Sequence, residues 1–317
     1  MDKIITGNSL EVLQSMQTES VDCCVTSPPY YGLRDYGVDG QLGLENTPER
    51  YIEKMVEIFS AVKDVLKSNG TLWCNIGDTY ANRSCPGQSS PTKRDRRKLA
   101  NLPKVGVPAG WKTKDLLGIP WMLAIALRAD GWYLRQDIIW HKPNPMPESM
   151  RDRCTKAHEY IFLLSKSPRY YFDSDAIREP SIWKSSEPWG WDTGDGAHNT
   201  IEYQKNGKHR RSQPKGSFNG KTGARAFRAT GEWRMKRSVW SVPTRPFKGA
   251  HFATFPEALI DPCIKAGCPK GGTVLDPFFG AGTVGVVAKK NARHYIGIEL
   301  NPEYVKMAEE RIEGVLI

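Results

Sequence analysis

The stretch TVLDPFFGAGTVGVVAKK, residues 273–290, constrains the fold more than any other part of this sequence. It places Gly280, Gly282 and Gly285 at G-x-G-x-x-G spacing, between an apolar run typical of a strand and a run with helical periodicity. Glu299 ends the next apolar run, nineteen positions after Gly280. Glycines at such a turn let a ligand approach the backbone, and the acid accepts hydrogen bonds from ribose hydroxyls. We therefore predict a nucleoside-binding strand–helix–strand unit.

The rest of the chain alternates between predicted strands and predicted helices. Strands are predicted at 3–5, 21–25, 71–76, 133–140, 159–165, 273–275 and 295–299. Helices are predicted to begin near Ser9, Thr47, Pro120, Pro256 and Asn301, and the second of them to end at Asn69-Gly70. This alternation predicts an α/β fold with a doubly wound, mostly parallel sheet. The pattern fails at 80–115 and at 181–239, so residues 1–180 and 240–317 are predicted to form the main domain.

Basic residues are concentrated in the two stretches that lack periodicity. The sequence carries a formal net charge of +10. Residues 83–114 contain nine basic residues and one acid, and residues 181–250 contain fourteen basic residues and five acids. The two stretches thus carry +8 and +9, which leaves −7 on the remainder. An acidic scaffold with two basic insertions indicates a polyanionic partner, the alternative being solvated loops that only keep the chain in solution.

Composition limits the other classes of protein to which the chain could belong. No apolar run is long enough to cross a bilayer and no signal peptide begins at Met1, so we predict a cytoplasmic protein without a membrane partner. The seven cysteines form no C-x-x-C pair, which favours reduced thiols over a zinc site. We accordingly predict that the chain binds no metal.

Two further features lie where predicted strands end. The apolar run 21–25 stops at Ser27-Pro28-Pro29-Tyr30, which taken alone is most simply a proline-rich turn. Asp276 follows the strand at 273–275, where ligands bind in open α/β sheets, and a carboxylate there suits a cationic ligand better than a pyrophosphate. S-adenosylmethionine carries an ammonium and a sulfonium group and is the predicted cofactor. No Lys-Ser/Thr pair follows the glycines, which excludes a nucleoside-triphosphate loop.

The segments TSPPY at 26–30 and DPFFGAGT at 276–283 together resemble the amino-methyltransferases of DNA, which methylate the exocyclic nitrogen of cytosine or adenine. Their order is similar to that of the permuted beta group of this family, over about 1–80, 116–180 and 240–317. The resemblance implies a circularly permuted, Rossmann-like methyltransferase fold, a target-recognition region at 181–239 and a DNA-facing loop at 80–115. It implies double-stranded DNA as a partner. It leaves open a restriction–modification role with a cognate restriction endonuclease or an orphan methylase, and a monomer or a homodimer.

The resemblance also implies a set of cofactor-binding residues. Gly7 and Asn8 would contact the adenine, with the Asn8 side-chain oxygen accepting from its amine where many relatives carry Asp. Phe255 would wrap the methionine end and Phe278 would face the cofactor, with plain core packing as the alternative for both. The full predicted set is Gly7, Asn8, Phe255, Asp276, Phe278, Gly280, Gly282, Thr283 and Glu299.

The segment Ser27-Pro28-Pro29-Tyr30 is the predicted catalytic site. An exocyclic amine is a poor nucleophile because its lone pair is delocalised into the ring. Ser27 Oγ and the Pro28 carbonyl can accept its two hydrogens, and Pro29 biases Pro28 to an extended conformation. The Tyr30 ring can stack on the base, which must leave the duplex to reach such a site. Catalysis would then rest on positioning and electrostatic orientation, without a covalent intermediate.

Ser27 favours one of the two amines that the family methylates. In this family Ser at that position accompanies mainly N4-cytosine, and Asp or Asn accompanies N6-adenine, so N4-cytosine is predicted and N6-adenine is the alternative. C5-cytosine chemistry is rejected because Pro262-Cys263 lies in a predicted helix. The predicted wall near the base contains Trp140, Lys142 and Asn144. Two rival functions are an NAD-dependent oxidoreductase and a nucleic-acid-binding protein with an inactive methyltransferase fold.

Overall fold

The computed structural model describes residues 2–33, 37–38, 40–81, 107, 110–181, 233–244 and 255–315. Most of the predicted loop at 80–115 and of the predicted target-recognition region at 181–239 lies outside the described residues. The chain divides into two compact units, residues 1–176 with 237–317 and residues 177–236. The predicted domain boundaries, with the roles attached to them, stay a prediction.

The described secondary structure consists of ten strands, six α-helices and one short 3₁₀ helix. The strands are β1 (Lys3–Thr6), β2 (Val21–Thr26), β3 (Leu66–Ile76), β4 (Tyr133–His141), β5 (His158–Ser165), β6 (Glu179–Pro180), β7 (Trp233–Arg234), β8 (Val239–Ser241), β9 (Thr273–Asp276) and β10 (His294–Glu299). The α-helices are α1 (Ser9–Ser15), α2 (Pro48–Val65), α3 (Ile119–Ala129), α4 (Glu257–Gly267), α5 (Thr283–Lys290) and α6 (Pro302–Glu313), and the 3₁₀ helix is Asp175–Ile177.

Eight of these strands form one sheet in the order β1-β10-β9-β2-β3-β5-β4-β8. Neighbouring strands run parallel, except that β5 runs antiparallel to both β3 and β4. Helices α1, α2 and α3 pack together on one face, and α4, α5 and α6 pack together on the other. The predicted doubly wound, mostly parallel α/β fold is confirmed. The smaller unit contains the antiparallel pair β6–β7, with a salt bridge of 2.9 Å between Arg234 and Glu179.

The first and last strands of the chain are neighbours. β1 pairs in parallel with β10, with Lys3 opposite Ile296, and the Asp2 carboxylate accepts from the Tyr295 N–H at 3.3 Å. When the chain is followed from β9 through β10 and then from β1 to β3, the sheet order is that of a doubly wound fold. The order reverses between β9 and β2, and such a switch point is where ligands bind in open α/β sheets.

Helix α2 ends earlier than its sequence predicts. It begins normally, because Thr47 Oγ1 accepts from the Arg50 N–H at 3.3 Å and Pro48 occupies the first turn. It ends at Val65, and β3 starts at once with Leu66 opposite Val21. The prediction that Asn69-Gly70 ends the helix was therefore wrong. Pairing with β2 extends the strand through a segment whose Asn and Gly indicated only a break.

No described helix is long and apolar enough to span a membrane.

Candidate active site and cofactor cleft

A cleft of about 1320 Å³ lies at the carboxyl ends of the parallel strands. A site for one small ligand usually has about 300–1,000 Å³, so this cleft has room for a cofactor and a second group. Most of the predicted residues meet on its walls: Ser27, Pro28, Pro29, Tyr30, Asn8, Phe255, Phe278, Gly280 and Glu299. The predicted wall residues Trp140, Lys142 and Asn144 line it as well.

Asp276 is not among the residues that line the cleft, and its predicted contact with the cofactor stays a prediction. Its side chain is buried beneath the turn after β9, with 2% of its surface exposed. Its Oδ1 accepts from Thr26 Oγ1 at 2.6 Å and from the Phe278 N–H at 3.0 Å. Burial raises the pKa of Asp276 to about 7, and the charge of Glu299 adds to the rise. Asp276 therefore ties the end of β2, just before Ser27, to the glycine turn.

Three more predicted cofactor residues also lie off the cleft wall. Gly282 has φ of 74°, and a Cβ there would lie 2.7 Å from Cβ of Ala308, so glycine is needed for α6 to approach the turn. Thr283 is buried, and its hydroxyl accepts from Arg311 at 3.3 Å. The Gly7 N–H donates to the backbone oxygen of Glu299 at 3.0 Å. None of the three is among the residues that line the cleft, and their assignment to cofactor binding stays a prediction.

Glu299 and Gly280 form the part of the site that the glycine spacing predicts. Glu299 Oε2 accepts from the Gly280 N–H at 2.7 Å, and Oε1 accepts from the Asn301 N–H at 2.8 Å. Burial raises the pKa of Glu299 above its usual value, against the lowering effect of these bonds. A carboxylate has about four acceptor positions, so capacity remains for ribose hydroxyls. The residues present thus fit a nucleoside-bearing cofactor.

Asn8 lines the cleft, and its side-chain oxygen already has hydrogen-bond partners within the chain. Its side-chain oxygen accepts from the Leu10 N–H at 2.9 Å and from the Glu11 N–H at 3.4 Å, which caps the start of α1. The oxygen is therefore committed to the helix, and the amide nitrogen is the polar group left for a ligand. Ser9 fastens the same helix start to the turn after β9, because its Oγ donates to the Pro277 carbonyl at 2.6 Å.

The segment Ser27-Pro28-Pro29-Tyr30, which is predicted to be catalytic, is held by hydrogen bonds from both sides. Tyr51 on α2 donates from its hydroxyl to the Pro29 carbonyl at 2.8 Å. The Gly32 N–H donates to the Gly43 carbonyl at 2.7 Å, and a Cβ on Gly43 would lie 2.9 Å from the Tyr30 carbonyl oxygen. Gly43 also has φ of 96°, so glycine is required where the loop crosses this segment. The segment therefore enters the cleft with its backbone direction fixed.

Tyr30 is anchored by its hydroxyl as well as packed by its ring. The hydroxyl donates to Glu159 Oε2 at 2.7 Å and accepts from Asn75 Nδ2 at 2.7 Å. Ser27 Oγ lies 3.4 Å from the same hydroxyl. Burial, and then the charge of Glu159, raises the pKa of Tyr30 well above its usual range, so the phenol keeps its proton. On Gly77, a Cβ would lie 2.7 Å from the ring, which shows how closely the backbone packs there.

The sequence predictions missed Glu159 and Asn75, which complete this cluster. Asn75 is near the end of β3, and Glu159 is near the start of β5. They meet because β5 runs antiparallel to β3, so that its amino end lies at the same sheet edge. The sequence does show an acidic residue, Glu159, at the start of a strongly apolar strand. It does not show the direction of β5, which is what brings this residue to the cleft.

Lys142, which directly follows β4, pairs with Glu159 of this cluster. Its ammonium contacts Glu159 Oε1, and the two side chains are 18% and 14% exposed. The ammonium also lies 4.3 Å from the centre of the Trp140 ring. Asn144 is fixed next to it, because its amide donates to the Thr244 carbonyl at 3.0 Å and accepts from the Thr244 N–H at 2.9 Å.

Within the described residues, no group of His, Cys, Asp or Glu could hold a metal ion.

Residues 21–310 match the family model described as DNA methylase. The chain belongs to the DNA methylase family. The methylase is 45% identical over 311 residues to Type II methyltransferase M.Cfr9I of Citrobacter freundii, covering 98% of this chain and 87% of that protein. It is 44% identical over 310 residues to Type II methyltransferase M.SmaI of Serratia marcescens, covering 98% and 90%.

Two solved structures share the fold of the methylase. PvuII DNA methyltransferase (cytosine-N4-specific) superposes with a TM-score of 0.62 at 18% identity, covering 99% of this chain and 88% of that one. A putative DNA modification methylase from Thermus thermophilus, solved in complex with S-adenosyl-L-methionine, gives a TM-score of 0.58 at 22% identity, covering 98% and 93%. The methylase is a DNA methyltransferase, and the predicted resemblance is confirmed. Because the chain belongs to the DNA methylase family, the alternative of an NAD-dependent oxidoreductase is excluded.

Proposed function

We propose that the methylase transfers a methyl group to the exocyclic N4 amine of a cytosine flipped out of double-stranded DNA. The observation that carries this proposal is the position of Ser27, on the same cleft as Glu299 and Gly280. Ser at the first position of the tetrapeptide supports cytosine, as does the fold shared with the cytosine-N4-specific PvuII DNA methyltransferase. N6-adenine is the alternative substrate.

The residues of the segment would orient the amine rather than react with it. Ser27 Oγ and the Pro28 carbonyl would each accept one hydrogen of the amine, which leaves the nitrogen lone pair directed along the cleft. Tyr51 supports this geometry by holding the adjacent Pro29 carbonyl at 2.8 Å. S-adenosylmethionine, when bound, supplies a methyl group on a sulfonium centre. Glu299, Phe278 and the Asn8 amide would hold it on the opposite wall.

The DNA contacts and the biological setting are proposed from charge and from relatives. We assign target recognition to residues 181–239 and DNA contact to the loop at 80–115, because the stretches 83–114 and 181–250 carry +8 and +9. A restriction–modification role with a cognate endonuclease, in the cytoplasm, follows the Type II names of the relatives. Both a monomer and a homodimer fit this proposal.

Ser27→Ala tests the proposal, because it removes one acceptor while leaving the cofactor wall intact. Methyl transfer to DNA should fall by about 10²–10³-fold, as when one positioned hydrogen-bond partner of a reacting group is lost. Calorimetry should show unchanged affinity for S-adenosylmethionine. Ser15→Ala is the matched control, since that hydroxyl bonds the Val12 carbonyl within α1, outside the cleft, and it should keep full activity. Full activity of Ser27→Ala would refute the assigned site.

A further inference from the structure

We propose that Glu159 is a positioning residue, which acts through Tyr30 to make Ser27 a hydrogen-bond acceptor for the target amine. The inference rests on the proposed function and extends it to residues outside the tetrapeptide. A serine hydroxyl can donate or accept. Ser27 presents a lone pair to an amine only if its own hydrogen is directed elsewhere, so something must set that direction.

The polarity of the cluster follows from its donors and acceptors. An ionised Glu159 can only accept, and the Tyr30 hydroxyl has a single hydrogen, which lies on the 2.7 Å contact with Glu159 Oε2. Asn75 Nδ2 donates to the Tyr30 oxygen at 2.7 Å and to Glu159 Oε2 at 3.2 Å. The reverse orientation of the Asn75 amide would set its oxygen against the carboxylate, so the amide direction is fixed as well.

Ser27 therefore has one place for its hydrogen within the cluster. The Tyr30 oxygen has given its hydrogen to Glu159 and keeps a lone pair beside the one that Asn75 occupies. Ser27 Oγ lies 3.4 Å from this oxygen and donates to it. The bond is long, but it still sets the direction in which the serine hydrogen points. The lone pairs of Ser27 then face the cleft. An amine, which has hydrogens to give, is selected over a carbonyl oxygen at the same place on a base.

Lys142 pairs with the carboxylate on which this polarity depends. Its ammonium contacts the other oxygen of Glu159 and lies 4.3 Å from the centre of the Trp140 ring. Both partners of the ion pair are largely buried, at 18% and 14% exposure. The Asn75 side-chain oxygen is buried and has no partner within the described part of the chain. Asn75 itself is one of the residues that line the cleft.

Glu159→Gln is designed to reverse the polarity with little change in shape. Lys142 can only donate, so it takes the amide oxygen, and the amide nitrogen then faces Tyr30. Tyr30 must then accept from it and turn its own hydrogen toward Ser27. This occupies one lone pair of Ser27 and releases the serine hydrogen to face the base, where it opposes the hydrogens of the amine. The kcat should fall by about 10²-fold, while the affinities for S-adenosylmethionine and for DNA stay within about twofold of wild type. Glu257→Gln, which changes a glutamate paired with Lys290 and not among the residues that line the cleft, should keep kcat.

Tyr30→Phe supplies the second arm, because it keeps the ring and removes only the hydroxyl. It should lower kcat by a similar factor, and Glu159→Gln in the Tyr30→Phe background should lower kcat little further. Either single variant with wild-type kcat, or losses that multiply in the double variant, would overturn the proposal. If the wild-type enzyme made N6-methyladenine, the assignment of cytosine would be wrong. The role of Glu159 would still be tested by these variants, because adenine also presents an exocyclic amine.

Discussion

Replacing Asp276 by asparagine tests how the glycine turn and the catalytic segment are joined. The carboxylate accepts from Thr26 and from the Phe278 N–H, and it is buried beneath both segments. Burial raises the pKa of Asp276 from 3.8 to about 7. Asparagine keeps an acceptor oxygen in the same shape but carries no ionisable proton, so it isolates the effect of the charge.

The sign of the effect follows from the direction of the pKa change. The folded protein holds the proton of Asp276 more tightly than the unfolded chain between about pH 4 and pH 7, so stability falls as the pH rises through that window and is level above it. About three pH units at 1.36 kcal/mol each give a total near 4 kcal/mol. Between pH 5 and pH 8 the free energy of unfolding should fall by about 3 kcal/mol from this group alone.

Urea unfolding of wild type and Asp276→Asn, at several pH values from 5 to 8, measures this contribution. The stability of the variant relative to wild type should rise by about 3 kcal/mol across the range, with equal m-values for the two proteins. Other titrating groups, Glu299 among them, are common to both proteins and cancel in the difference to first order. Two curves that stay parallel would refute the reasoning, because they would mean that Asp276 ionises in the folded protein as it does in the unfolded chain.

Three further outcomes are expected. Gly77→Ala should lower kcat, because the new Cβ would lie 2.7 Å from the Tyr30 ring and must displace it. Steady-state kinetics would measure kcat, and calorimetry should show unchanged affinity for S-adenosylmethionine. Unaltered kcat would show that the ring position is unimportant. Tyr51→Phe should lower stability to urea by about 1 kcal/mol through loss of the bond to the Pro29 carbonyl, and a stabilised variant would contradict that bond. DNA affinity, measured by fluorescence anisotropy, should fall by about 10³–10⁵-fold between 50 and 200 mM salt if six to ten phosphates are contacted, whereas a salt-independent affinity would exclude the two basic stretches as contacts.

The sequence predicts those parts of the site that depend on neighbours along the chain. Strand, glycine turn, helix and Glu299 form one continuous unit, and the bond of 2.7 Å between the Gly280 N–H and Glu299 follows from it. The end of β2 at Thr26 likewise follows from an apolar run stopped by two prolines. In each case local rules and the tertiary fold demand the same conformation.

The sequence does not reveal which hydrogen-bond partners the side chains of the site already have. The predicted roles of Asp276 and Asn8 assumed free side-chain oxygens, but Thr26 and the start of α1 compete for them. Glu159 and Asn75 meet only because β5 is antiparallel in an otherwise mostly parallel sheet, and periodicity carries no information on strand direction.

The identity of the methylated nucleoside tests the central claim most directly. Wild-type enzyme, duplex DNA and S-adenosylmethionine with an isotopically labelled methyl group would be incubated together, and the DNA would then be digested to nucleosides for mass spectrometry. The geometry around Ser27 predicts the label in N4-methylcytosine, with Ser27→Ala giving almost none. Label in N6-methyladenine would contradict the assignment of cytosine to this site.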